Sequence, residues 1–390
     1  MSSENTISVF SFPTRIVFGA GALQRLGAEL ERLGMKRPLL VTDRGVVKSG
    51  LAERVIGEAA KAGIGLPLFD GVSPNPTDQN VVDGLARYQE EKCDSLIALG
   101  GGSPIDAAKA IRLRVTHKLP LEEYDDLIDG GNKISGNIPP MIAIATTAGT
   151  GSDVGRSTVL ILKATDRKTI IFSPYLIPSV AIADPELTVS MPPKITAGTG
   201  LDALTHNVEA YLSRGYHPMC DAIAIEGTRL AARNLVTVVR NGSDITARTN
   251  MMMAAIMGAV AFQKGLGAVH SLAHPLSSVA NLHHGTANGI LLPPVLEFNR
   301  QTSEERLRDL AAAMDIDISR MNVAQAATAA IERIRELLAE VEVPAHLTAY
   351  GISRDIIPGL AKKAMQDGCH QSNPRACTEA DMVMLYEQAL

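Results

Sequence analysis

From residue 15 to residue 183 the chain alternates short apolar runs with stretches of helical periodicity, and past Asp184-Pro185 the short runs cease. Short apolar runs bounded by polar turns are the pattern of strands buried on both faces, as in a parallel sheet. Such runs stand at 15–18, 38–42, 66–69, 95–99 and 141–145, with further ones at 158–162, 169–172 and 180–183. Helical periodicity fills 22–33, 51–62, 77–91 and 105–114. Repeated β-α units imply a mainly parallel sheet covered by helices.

Beyond that point only helical stretches remain, at 193–213, 218–239, 245–264, 303–314, 323–341, 353–363 and 378–388. Met191-Pro192-Pro193 breaks the chain between the two regimes. The expected organisation is an α/β domain with a mainly parallel sheet over residues 1–187 and an all-α domain over 188–390. The apolar run 251–262 is too short to span a bilayer and carries Gly258, so it reads as a buried helix.

Within the first half, Gly100-Gly101-Gly102-Ser103 lies between a buried strand and a helix, with Pro104 placed as a first helical residue. Backbone without side chains lets a pyrophosphate approach N–H groups at a helix N-terminus, and Ser103 can add a hydroxyl donor. The spacing is neither G-x-G-x-x-G nor a Walker loop, so taken alone the triplet is equally a tight turn. Asp43 closes an earlier strand. A carboxylate there could bond ribose hydroxyls and repel a 2′-phosphate, favouring NAD over NADP, or it could simply cap a helix. Thr146-Thr147 and Gly149-Thr150-Gly151-Ser152 form a second small, hydroxyl-rich loop, and Asn75 sits in a rigid loop between Pro74 and Pro76.

The second half holds an unusual density of histidine. Five of the nine lie between 202 and 284: His206, His270, His274, His283 and His284. Asp202 and His206 are spaced i, i+4, as are His270 and His274, so on helices each pair shares a face. Two such faces turned together would make a site of one carboxylate and several imidazoles, the ligand chemistry of a divalent transition metal such as Fe or Zn. Spacing alone does not sort the ligands. No H-E-x-x-H is present, which disfavours a metallohydrolase, and the nucleotide loop favours redox chemistry. His117, His217 and His346 read as surface or structural residues, while His370 belongs to a polar loop, Cys369–Arg375.

Composition narrows the classes further. A net charge of -5 gives no reason to expect a nucleic-acid partner. The absence of Trp and the 4% aromatic content disfavour base-stacking platforms. Cys93, Cys220, Cys369 and Cys377 show no C-x-x-C spacing, which suits a reduced, cytoplasmic chain. Met1-Ser2-Ser3-Glu4-Asn5 lacks a basic and an apolar region, so neither a secretory signal nor a membrane role is expected.

Taken together these residues resemble the iron-containing alcohol dehydrogenase family, whose fold is similar to dehydroquinate synthase. The resemblance covers nearly the whole chain. It rests on Gly100–Lys109 (GGGSPIDAAK), Thr146–Ser152 (TTAGTGS), Met191-Pro192-Pro193, Thr199–His206 (TGLDALTH), His270–Leu276 (HSLAHPL) with His284-Gly285, and Asn373-Pro374-Arg375. It implies that Asp202, His206, His270 and His284 hold the metal and that His274 lies beside the nicotinamide and substrate. It gives His283 no role. Gly101, Gly102, Ser103 and Asp106 would meet the pyrophosphate region and Asp43 the adenine ribose. Asn75, Thr146, Thr147, Ser152, Lys168 and Leu187 match cofactor-pocket positions. Two departures stand out: Asp153 replaces the family's common Glu, keeping its charge, and Gly155 removes a hydroxyl, which bears on substrate preference.

The expected activity is reversible hydride transfer between NAD(H) and a small primary alcohol or diol, across a cleft walled by the glycine loop and the histidine-rich segment. Fe2+ is the metal favoured, with Zn2+ as the alternative, and the family implies a homodimer or higher homo-oligomer. A hydroxyacid dehydrogenase or oxoacid reductase on the same scaffold is the rival, with Arg375 and His370 as candidate carboxylate binders.

Overall fold

The computed structural model describes Phe12, Thr14–Ala164 and Arg167–Leu390, so the Met1–Asn5 stretch lies outside the described residues. Two compact units are present among the described residues: 14–147 with 151–190, and 191–390 with Phe12 and 148–150.

The first unit runs β1 (Arg15–Phe18), α1 (Leu26–Leu33), β2 (Pro38–Val41), α2 (Arg44–Lys48), α3 (Leu51–Lys61), β3 (Leu68–Phe69), α4 (Asp78–Glu90), β4 (Ser95–Gly100) and α5 (Gly102–Thr116). It continues with β5 (Met141–Ala145), β6 (Ser157–Leu162), β7 (Arg167–Phe172) and β8 (Val180–Ala183). Six strands form one sheet in the order β1-β8-β5-β4-β2-β3, parallel at every pairing. β6 and β7 form a separate antiparallel hairpin.

Every residue of β2, β4, β5 and β8 is buried, which is why these runs are apolar without alternation. The pleat sorts them into two cores. Leu39, Val41, Leu96 and Ala98 pack with Val81 of α4 and Ile105 and Ile111 of α5. Leu40, Ile97, Leu99, Ile142 and Ile144 pack with Leu26 and Leu30 of α1 and Val55 of α3. Each Val, Leu or Ile side chain so taken from water contributes about 1.5–3 kcal/mol.

The strand order fixes where a ligand can sit. β3 follows β2 on one side, and β4 returns to the other, so the winding reverses between β2 and β4. Ligands of open α/β sheets bind outside the carboxyl ends of the strands at such a reversal. Val41 pairs with Ala98, which brings the ends of β2 and β4 side by side. Asp43 follows the first and Gly101 the second.

The second unit is helical: α6 (Pro193–Leu212), α7 (Pro218–Arg240), α8 (Ile245–Ala261), α9 (Ala268–Val279), α10 (His284–Ala313), α11 (Val323–Glu340), α12 (Ile357–Met365) and α13 (Glu379–Ala389). From Thr196 to Leu212 every residue of α6 is buried, so it is the central helix. α7, α8 and α10 pack around it. Residues 245–264 are long and apolar enough to cross a membrane, but the stretch is mostly buried inside this unit.

Three expectations need correction. The helix expected from 303 begins at His284 and runs through Pro293 and Pro294. An internal proline costs a helix about 3 kcal/mol. Here the helix is packed against α6, α9 and α11, and its burial outweighs that cost. α9, missing from the run of expected helices, likewise carries Pro275 inside it. Pro104 is the third residue of α5 rather than the first, a position whose N–H has no partner within the helix in any case.

Candidate functional site

Three helices of the helical unit supply the candidate ligands. Asp202, His206 and Glu209 follow one another at i, i+4 and i+7 on α6, His270 and His274 at i and i+4 on α9, and His284 and Asn288 at i and i+4 on α10. α10 can reach α6 because Gly285 lies against Gly198. A Cβ on Gly285 would stand 2.0 Å from the Gly198 carbonyl oxygen and 2.9 Å from Asp202 Cβ. His283 caps α10, its Nδ1 accepting from the Thr286 N–H at 3.3 Å.

Asp202, His206 and His270 are buried and bring their donor atoms within 4.8 Å of one another. His284 Nε2 lies 3.7 Å and His206 Nε2 3.9 Å from Asp202 Oδ1. The His206 and His270 rings stack at 4.7 Å between centroids, and His270 meets His284 edge-on at 5.4 Å. Donors sharing one ion at about 2.0–2.2 Å stand roughly 3–3.6 Å apart, so small movements would close this set on a cation. The Asp202 carboxylate is met by these imidazoles and by the Asn288 amide, which donates to Oδ1 at 2.7 Å. A buried carboxylate surrounded by imidazoles rather than by Lys or Arg suits a metal. Burial pushes His206 down to about 4, keeping its lone pair available.

The structure adds residues that the sequence reading missed. Burial opposes a charge on His270, but Glu209 outweighs it and raises the imidazole's affinity for a proton. Glu209 Oε2 lies 2.5 Å from His270 Nδ1, and Oε1 accepts from the Val269 N–H at 2.8 Å. This carboxylate fixes the ring so that Nε2 faces Asp202 and Asn288. The i+7 spacing from Asp202 was a signal in the sequence. Asn288 Nδ2 also lies 3.3 Å from His270 Nε2 and 3.2 Å from His284 Nε2.

His274 stacks on His284 at 5.2 Å and is held by another carboxylate. Its Nδ1 lies 2.7 Å from Asp367 Oδ2, while Asp367 Oδ1 accepts from the Ser271 hydroxyl and the Cys369 N–H. Burial alone would raise Asp367; His274 and these donors instead hold it well below the usual carboxylate range. Nothing in the sequence linked residue 367 to residue 274. Asn373 has a structural duty: its Oδ1 accepts from the Ala268 N–H at the start of α9 and from Asn299.

In the α/β unit, Gly100 adopts φ +147°, and a Cβ there would meet Pro104 at 2.6 Å, so only glycine suits the turn into α5. Gly101 is the N-cap without a side-chain bond, leaving the first-turn N–H groups of Gly102 and Ser103 directed outward. Thr146 N donates to Gly100 O, and Thr147 lies 3.2 Å from a Cβ built on Gly101, so both threonines adjoin the loop. Ser103 Oγ donates to Pro74 O at 2.5 Å, tying the Asn75 loop to the same place but occupying the expected donor. Asp43 caps α2, with Oδ1 accepting from Gly45 and Val46.

Other expected cofactor residues lie in the framework. Asp106 accepts from Ser152 Oγ at 2.5 Å and Val159 N at 3.1 Å, and burial raises its pKa. Lys109 Nζ donates to Ser152 Oγ, Gly155 O and Ser157 O. Lys168 lies on β7 and lowers Asp106 through its charge. Leu187 is fully buried in the core beside Ile182. The candidate carboxylate binders are engaged too: Arg375 donates to Phe298 O and lies 3.9 Å over its ring, and His370 Nε2 contacts Met365 O.

Comparison with known proteins accounts for both units. Residues 13–185 match the iron-containing alcohol dehydrogenase model, and residues 196–390 match the C-terminal model of the Fe-containing alcohol dehydrogenase family. The chain is 40% identical to the 1,3-propanediol dehydrogenase of Klebsiella pneumoniae over 95% of this chain and 96% of that one. It is 39% identical to the 4-hydroxybutyrate dehydrogenase of Cupriavidus necator, over 97% and 98%. The crystal structure of a 1,3-propanediol oxidoreductase superposes with a TM-score of 0.95 at 39% identity, covering 98% of this chain and all (100%) of that one. Sequence and fold agree over both units, and this chain therefore belongs to the iron-containing alcohol dehydrogenase family, as an oxidoreductase acting on CH–OH groups.

Proposed function

We propose that the enzyme interconverts a small primary alcohol or diol and its aldehyde with NAD(H), and that Asp202, His206, His270 and His284 hold a divalent metal, Fe2+ before Zn2+. The observation that carries this reading is the convergence of one buried carboxylate and three imidazoles from three helices. A divalent cation bound there supplies Lewis acidity, which lowers the pKa of a substrate hydroxyl.

The chain's own residues do the rest. Glu209 keeps the His270 proton on Nδ1, so that Nε2 presents its lone pair. Asp202 is oriented by the Asn288 amide. Asp367 holds the His274 proton on Nδ1, which leaves Nε2 as the basic atom. It can take the hydroxyl proton in oxidation and return it in reduction. The Gly101–Ser103 N–H groups receive the pyrophosphate at the head of α5. Asp43, using Oδ1 as a cap, keeps Oδ2 for ribose hydroxyls and disfavours a 2′-phosphate.

Similarity to a 4-hydroxybutyrate dehydrogenase supports a hydroxyacid as the second substrate class. Arg375 packs over the Phe298 ring and donates to its carbonyl, and His370 Nε2 contacts Met365 O, which supports the uncharged alcohol over the hydroxyacid. The test is a panel of short primary alcohols, diols and 4-hydroxybutyrate with NAD and NADP. The proposal predicts higher kcat/KM for the uncharged alcohols and for NAD, and a clear preference for the hydroxyacid would replace it. We also propose a cytoplasmic homodimer, on the reduced cysteines and the family resemblance.

A further inference from the structure

We propose that His274, Asp367 and Cys369 form a second cation site, one that takes a thiophilic divalent ion such as Zn2+ or Cd2+ and inhibits the enzyme. Their donor atoms, one nitrogen, one oxygen and one sulfur, all lie within 4.8 Å of one another. This mixed set is a zinc-like set, and its thiolate favours soft ions over the all-N/O ligands at Asp202.

The carboxylate is already oriented. Asp367 Oδ1 accepts from Ser271 Oγ at 2.8 Å and from the Cys369 N–H at 2.9 Å, so Oδ2 is turned to His274. The second of these bonds also fixes the Cys369 backbone beside the carboxylate, and Ser271 Oγ accepts from the His370 N–H at 2.8 Å. The His274 and Asp367 side chains are 16% and 12% exposed, open enough for an ion to enter yet largely shielded from water.

Binding would shift the His274 proton from Nδ1 to Nε2, freeing the Nδ1 lone pair for the ion, and would release the thiol proton of Cys369 to solvent. Asp367 would then serve the cation instead of the imidazole, and Nε2 would lose basicity. This inhibitory half rests on the placing of His274 at the reacting centre; the binding half does not.

The test titrates Cd2+ into the iron-loaded enzyme. Ultraviolet cadmium–thiolate absorbance, cadmium and iron content after desalting, and the rate of NADH formation are followed together. Cys369→Ser is compared with Cys377→Ser, whose thiol faces the Arg375 carbonyl and the Asn373 amide instead. One Cd2+ per chain should bind with a thiolate band and full retention of iron, while the rate falls over the same concentration range. Cys369→Ser should lose the band and bind at least tenfold more weakly, and Cys377→Ser should keep both. Absence of the band, its survival in Cys369→Ser, or cadmium gained one-for-one with iron lost would overturn the site. Binding through Cys369 with an unchanged rate would overturn the inhibition and the placing of His274, leaving the Asp202 metal centre untouched.

Discussion

Glu209→Gln should weaken metal binding without touching a ligand. Both oxygens of Glu209 accept, one from the Val269 N–H at 2.8 Å and one from His270 Nδ1 at 2.5 Å. Glutamine is nearly isosteric but has one acceptor and one NH2. If its oxygen faces Val269, the NH2 donates to His270 Nδ1 and drives the ring proton to Nε2, removing the lone pair that the metal needs. If it faces His270, the NH2 opposes the Val269 N–H in a buried place, costing the fold about 1–3 kcal/mol. Loss of such an orienting partner weakens metal binding about 10- to 100-fold, equivalent to ~1.4–2.7 kcal/mol. Chelator competition on wild type and variant measures the first effect, and thermal melts without added metal measure the second. Wild-type metal affinity together with a wild-type melt would refute the assignment of Glu209.

Asp367→Asn should keep the Ser271 and Cys369 donors on its oxygen and turn its NH2 to His274 Nδ1. That moves the proton to Nε2, and kcat should fall by about 10²-fold with metal content unchanged, read by steady-state kinetics and metal analysis. Asp153 is raised from 3.8 to about 6, first of all by burial, and its Oδ2 has no hydrogen-bond partner. A raised pKa favours the fold below pH 3.8 and loses that contribution as pH rises through about 6, up to about 3 kcal/mol. Melts of Asp153→Asn should therefore exceed wild type by more at pH 7.5 than at pH 4.5. Gly285→Ala would place its Cβ 2.0 Å from Gly198 O. Forcing α6 and α10 apart should cost about 1–3 kcal/mol of stability, read by denaturant titration, and weaken metal binding.

The parallel sheet could be read from the sequence because its strands are buried on both faces, which makes short apolar runs such as Leu96–Leu99 unmistakable. The i, i+4 pairs survived for a similar reason: α6 and α9 are regular where Asp202, His206, His270 and His274 stand. α10 was lost because Pro293 and Pro294 carry a local helix penalty that only tertiary packing overrides, and Asn288 was lost with it. Asp367 reaches His274 across 93 residues, a proximity that no local pattern encodes. The glycine loop was legible as a turn before a helix. Local spacing could not show that Asp106 and Ser152 bind each other or that Leu187 is core.

Alcohol oxidation is proposed to depend on a divalent metal held by Asp202, His206, His270 and His284. The direct measurement is to strip the enzyme with a chelator, add Fe2+ or Zn2+ back in substoichiometric steps, and follow bound metal and NADH formation on the same samples. The rate should be proportional to bound metal and saturate at one ion per chain, with Asp202→Ala folded but neither binding the ion nor recovering the rate. Full activity in the stripped enzyme, or wild-type metal content and activity in Asp202→Ala, would contradict it.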